Sequence, residues 1–167
     1  MKALIGIVLL ILALSIFGVV IVRSIQLRQN CTGYLKRAAD ANTVENAKEQ
    51  LSIAISYLEA HNLISGYTSV LWKTPDEDIG FWYNNLKTSY EELSKVDSTT
   101  SALEKSNILM KLRETLIDNG EKGDSMTIPN GLSRYPHNLL FGVLMWIGFF
   151  VLIGGIIWIV MISTGDF

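Results

Sequence analysis

Residues 3–22 read ALIGIVLLILALSIFGVVIV, and residues 139–162 read LLFGVLMWIGFFVLIGGIIWIVMI. Neither run contains a charged side chain, and each reaches the roughly 20 residues that an α-helix needs to cross a hydrocarbon layer about 30 Å thick. A closed barrel is the other structure that lipid tolerates, but it requires many short strands of alternating polarity, and neither run alternates. The two stretches therefore predict one transmembrane helix over 3–22 and a second over 139–162. Between them lies a soluble domain over 23–138, and a short tail over 163–167 follows.

The expected fold class is all-α: two transmembrane helices flanking a soluble antiparallel helical bundle. The N-terminal run also invites reading as a cleaved signal peptide. Its length, the lack of an Ala-x-Ala-like site after it and the immediate arrival of Arg23 favour a retained span. Overall composition agrees, with 49% hydrophobic residues and a formal net charge of −2. Charges of both signs mix through the centre without a block of either, so no nucleic-acid footprint is expected. The single cysteine, Cys31, excludes an internal disulfide or a Cys-pair metal site.

Working inward, helical pattern is expected over about 24–62, with a reset around Asp40–Thr43 where Asn42 and Glu45 have the spacing of a capping box. Past the reset, Val44, Ala47, Leu51, Ala54 and Leu58 recur at steps of three and four, the spacing of a buried seam. His61 and Asn62 mark its end. Residues 63–75 form a long, greasy connection. Thr74 as cap, Pro75 at the first helical position and acidic Asp76, Glu77 and Asp78 then predict a helix over 75–96. Its seam is Ile79, Trp82, Leu86, Leu93 and Val96. Ser101 with Glu104 opens a further helix over 101–119, with Leu103, Leu109, Met110, Leu112, Leu116 and Ile117 on a broad apolar face and Asn119-Gly120 as its stop. From Glu121 to Asn138 the composition is that of a loop returning to the bilayer.

Catalytic and cofactor motifs do not emerge. His61 and His137 have no second ligand at helical or loop spacing, and no His-Glu-x-x-His, Glu-x-x-His, Cys-x-x-Cys or glycine-rich phosphate loop is present. The cluster Asp76-Glu77-Asp78 lacks the alternate spacing of a calcium loop and reads as a helix cap. Asn30-Cys31-Thr32 fits a glycosylation sequon, relevant only to a secretory lumen. The reading is a non-enzymatic protein without cofactor or metal.

Three groups of residues invite function. Tyr67, Trp72, Phe81, Trp82 and Tyr83 concentrate aromatic surface of the kind that anchors partner interfaces, or else that caps a bundle. Because Phe81, Trp82 and Tyr83 are consecutive, a helix cannot bury all three on one stripe, so at least one faces a loop, a partner or solvent. Gly6 with Ala13, and Gly148 with Gly155, each lie seven apart on one helix face and permit close contact between spans or with neighbours. Arg23, Arg134, Tyr135 and His137 suit the headgroup layer as interface anchors.

Orientation follows from the basic residues near the spans: Arg23, Arg28, Lys36, Arg37, Lys122 and Arg134 on the domain side against Lys2 outside, which places the domain in the cytoplasm. The Met1-Lys2 start followed at once by an apolar run is a signal-anchor form and argues for the opposite side. The partners expected are membrane lipid and other membrane-protein subunits or further copies of the chain. The function expected is a membrane-anchored scaffold or accessory subunit of a larger complex. The alternative is a membrane sensor that would signal through another protein, resembling the ligand-binding part of bacterial chemoreceptors but with only Ser163–Phe167 after the second span. A pore finds no polar face within the spans.

Overall fold

A computed structural model describes residues 2–120 and 123–164. The protein is mostly helical. Helix α1 spans Lys2–Leu27, passes through a π-helical turn over Arg28–Thr32 and continues as α2 over Gly33–Ala39. The wide turn explains Gly33: its N–H bonds the Arg28 carbonyl, and a Cβ there would stand 2.8 Å from that oxygen. Helices α3 (Val44–Ala60), α4 (Ile79–Ser94) and α5 (Ala102–Leu116) follow, then strands β1 (Ile117–Gly120) and β2 (Gly123–Met126), and finally α6 (Asn138–Thr164). Among these, α1 and α6 contain runs long and apolar enough to cross a membrane.

The expected seam of α3 is buried along its whole length, with Ala47, Leu51, Ala54 and Leu58 fully enclosed and Val44 nearly so. It meets Ile79, Leu86 and Leu93 of α4, Leu35 of the α2 segment, and Leu112 and Leu116 of α5 in one apolar core. Cys31 is fully buried in the same core, a small apolar plug at the π-turn.

Several local expectations are corrected. The cap of α3 is Thr43 rather than Asn42: its hydroxyl accepts from the Asn46 amide at 3.2 Å. Pro75–Glu77 forms a 3₁₀ turn, and α4 starts later, at Ile79, because Asp78 supplies the cap by accepting from the Phe81 amide at 3.0 Å. The third soluble helix stops at Leu116 rather than 119. Ile117–Gly120 instead pairs antiparallel with Gly123–Met126, from Ile117↔Met126 to Gly120↔Gly123, so the all-α expectation misses a hairpin. The apolar face of α5 is also narrower than expected, since Leu103 and Met110 are exposed while Leu112 and Leu116 are buried; Ile117 is buried too, but from β1.

Helices α1 and α6 lie side by side. Their pairings run from Gly6 against Ile159 and Trp158, through Gly155 against Leu10 and Gly148 against Phe17, to Arg23, whose guanidinium sits 5.1 Å from the Phe141 ring centroid. Outside this contact both helices leave large apolar side chains exposed, including Ile7, Leu14, Trp146 and Phe150.

Candidate functional site

The segment between α3 and α4 is built from its ends inward. Helix α3 closes with Asn62 in the left-handed region (φ 56°), so that Asn62 N–H reaches Glu59 O at 3.1 Å and Leu63 N–H reaches Leu58 O at 2.8 Å. Leu63 is thereby driven into the core beside Leu58. Gly66 then adopts φ 100°, and its carbonyl accepts from Ile79 N at 2.9 Å. Tyr67 pairs with Asp78 through an isolated antiparallel bridge, and Thr68 N–H donates to Glu77 O at 3.1 Å. The loop is thus stitched to the start of α4, and Tyr135 clamps it from the other side by donating its hydroxyl to Ser65 O at 3.0 Å.

This stitching splits the five aromatic residues. Trp82 and Tyr83 belong to the core: the Trp82 indole N–H donates to Thr127 O at 2.7 Å, and the Tyr83 hydroxyl donates to Glu59 Oε1 at 2.5 Å. The Glu59 carboxylate, reinforced by burial, pushes the Tyr83 hydroxyl up to about 12. Phe81, on the outer side of the same turn, is 65% exposed, and Trp72 is 76% exposed together with Leu71 at 76%. Tyr67 is half-buried, with Lys73 Nζ 5.2 Å from its ring centroid. Its hydrogen bond to Asp78 raises the Tyr67 hydroxyl's pKa, while the Phe81 amide is the main cause that holds Asp78 below the usual carboxylate range.

Beneath Leu71 and Trp72 is a groove of about 370 Å³ that reaches the first turns of α6 at Asn138 and Gly142. Arg134 and Glu77 line it, one basic and one acidic. Thr68 and Asn138 also line it and are 3% and 8% exposed, yet Thr68 Oγ1 and Asn138 Oδ1 have no hydrogen-bond partner among the described residues. The amide end of Asn138 is fixed by donating to Gly131 O at 2.9 Å, which leaves the buried carbonyl end without a partner among the described residues. A second furrow shares Arg134 and Gly142 and continues along α6 past Met145, Trp146 and Phe149.

The four residues assigned to the membrane interface occupy one end of the α1–α6 pair. Arg23 covers Phe141, Arg134 lies 3.9 Å from Met145 Sδ, His137 is exposed and Tyr135 is half-buried against the core. All four small residues sit where the two long helices approach: Ala13 is fully buried, and Gly6, Gly148 and Gly155 each face side chains of the opposite helix. A Cβ at Gly142 or Gly154 would meet nothing within 4 Å among the described residues. His61 caps α3, its Nδ1 2.9 Å from Tyr57 O and its ring stacked on Tyr57 at 4.0 Å. Among the described residues no group of three or more His, Cys, Asp or Glu is placed to hold a metal ion.

Sequence reasoning did not anticipate Thr68, Asn138 or Glu77 as groove residues. Thr68 and Asn138 are ordinary polar residues far apart in the chain, and only the folded backbone brings them together. No known protein family, curated protein or solved structure matches the chain.

Proposed function

We propose that this chain is a two-pass integral membrane protein that acts, without catalysis, as a scaffold or accessory subunit of a larger membrane assembly. In this reading α1 and α6 cross the bilayer together, and α3, α4 and α5 form an antiparallel bundle held at one membrane face. The observation that carries it is the contrast within α1 and α6: small residues and Ala13 sit at their mutual contact, while bulky apolar side chains cover the outside. Such an outward apolar surface suits lipid and is costly in water.

Partner docking is assigned to the outer surface around Phe81, because a large exposed aromatic ring next to a rigidly capped helix start is the kind of anchor that interface hot spots use. Trp82 and Tyr83 support that surface from below through Thr127 and Glu59. The excess of Lys and Arg on the domain side supports a cytoplasmic bundle.

The test places a photo-crosslinking residue at position 81 and, as control, at exposed position 103, in the full chain within native membranes. Specific adducts at 81 with a membrane-protein partner or a second copy are expected. A protein that purifies as a monomer and gives no adduct at 81 refutes the scaffold reading. Alkaline phosphatase and fluorescent-protein fusions after residue 120 check the side: phosphatase activity without fluorescence overturns the cytoplasmic assignment.

A further inference from the structure

The groove under Leu71 and Trp72 is lined by polar Thr68, Glu77, Arg134 and Asn138 as well as by apolar side chains, and it opens beside the membrane-length helix α6. We infer that it receives the headgroup of a zwitterionic phospholipid carrying N–H donors, an ethanolamine phospholipid. The inference rests on the two-pass reading.

Depth along α6 gives the first argument. Arg23 stacks on Phe141 where the apolar run of α1 gives way to charge, so this level corresponds to the boundary between acyl chains and headgroups. Gly142, the next residue of α6, lines the groove together with Leu71 and Trp72. The exposed loop residues therefore stand at headgroup depth, where an indole ring with one apolar and one polar edge is favoured.

Chemistry of the lining gives the second. Buried oxygens without a partner are uncommon in folded proteins because each forfeits hydrogen bonding it had in water. Here two of them, Thr68 Oγ1 and Asn138 Oδ1, belong to residues that line one groove, which Glu77 lines as well. These three groups accept hydrogen bonds, and Glu77 adds negative charge, so together they match an ammonium with N–H donors. Arg134 supplies the complementary cation for the adjoining phosphate. A choline headgroup brings positive charge but no N–H, and a glycerol headgroup brings donors but no positive charge. The furrow past Met145, Trp146 and Phe149 continues from Arg134 and offers an acyl chain an apolar track.

The experiment is native mass spectrometry of the full chain in detergent, titrated separately with ethanolamine, choline and glycerol phospholipids of identical acyl chains, with circular dichroism confirming the fold of each variant. Ethanolamine lipid should be retained at the highest occupancy. Thr68→Val, close in shape, should weaken that lipid by about fivefold, the worth of one net hydrogen bond, and leave choline lipid unchanged. Glu77→Gln, which removes the negative charge, should erase the preference, whereas Arg134→Gln should weaken all three lipids by about tenfold through the shared phosphate. Equal occupancy of the three lipids, or a preference untouched by both Thr68→Val and Glu77→Gln, overturns the inference while leaving the two-pass reading intact. Competition by soluble glycerophosphoethanolamine at the same concentration as the lipid also overturns it, since the acyl furrow then contributes nothing. A protein that stays dispersed in plain buffer without detergent removes both readings.

Discussion

Replacing Gly66 with alanine should destabilise the soluble domain by about 2–4 kcal/mol, a large fraction of the ~5–15 kcal/mol that typically holds a domain together. Two contributions make up that figure. At φ 100° the backbone lies outside the left-handed well near +57° that other residues occasionally visit, and forcing a side chain there costs on the order of 1–3 kcal/mol. The new Cβ would also overlap the Tyr135 hydroxyl, displacing the group that donates to Ser65 O at 3.0 Å and forfeiting about 1 kcal/mol of net hydrogen bonding. Tyr135→Phe by itself should cost about 1 kcal/mol through the same bond. Combined, the two substitutions should cost less than their sum by about 1 kcal/mol, because the hydroxyl is already gone and the nearest remaining atom is the ring carbon at 3.1 Å. Unfolding in detergent followed by far-UV circular dichroism reads all four proteins. Strict additivity, or a Gly66→Ala protein as stable as its parent, would refute the proposed clamp. Thr68, two residues after Gly66, lines the groove, so Gly66→Ala should also weaken ethanolamine-lipid retention.

Other perturbations address single contacts. Because the folded Tyr83 hydroxyl titrates at about 12, above its value in an unfolded chain near 10, its contribution is fully present below pH ~10 and is lost as pH rises toward 12. Tyr83→Phe should reduce, without abolishing, the alkaline loss in a pH series of unfolding curves, because burial also pushes the Cys31 thiol up to about 12. Thr43→Ala should remove about 1 kcal/mol from the start of α3, whereas Asn42→Ala should change stability by only a few tenths, a difference that urea midpoints resolve. Gly155→Leu should separate α1 from α6, since a Cβ at that position already stands 3.2 Å from Leu10 Cδ2 and 3.6 Å from the Gly6 carbonyl. Gly154→Leu, with nothing within 4 Å among the described residues, is the control and should be silent. Disulfide formation between cysteines placed at 16 and 148, in a Cys31→Ser background, measures the spacing, and equal rates in the two leucine variants would count against this contact.

Local chain chemistry was enough to read the two long apolar helices, the buried seam of α3 and the exposure of one residue among Phe81, Trp82 and Tyr83. Each depends on composition or on a 3.6-residue period, both properties of the chain before it folds. Caps were less legible. Asn42 and Thr43 are adjacent and both are good caps, and the choice is made by which backbone turns helical first. Thr74-Pro75 carried every mark of a helix start, but the Tyr67–Asp78 bridge and the Gly66–Ile79 hydrogen bond hold the chain in a 3₁₀ turn until Asp78. Likewise, Asn119-Gly120 marks a hairpin as readily as a helix stop. Pairing of Ile117 with Met126 decides between them, and four-residue strands are too short for period-two alternation to stand out.

What the amino-acid order determined by itself is where this protein is oily enough for lipid and which faces of its helices turn inward, because burial follows side-chain polarity at fixed helical spacing. Only the tertiary structure decided that Thr68, Glu77, Arg134 and Asn138 share one groove under Trp72, and that Tyr135 serves as a clamp as well as a boundary residue. These contacts join chain segments about 60–70 residues apart, and no local period encodes an encounter across that distance.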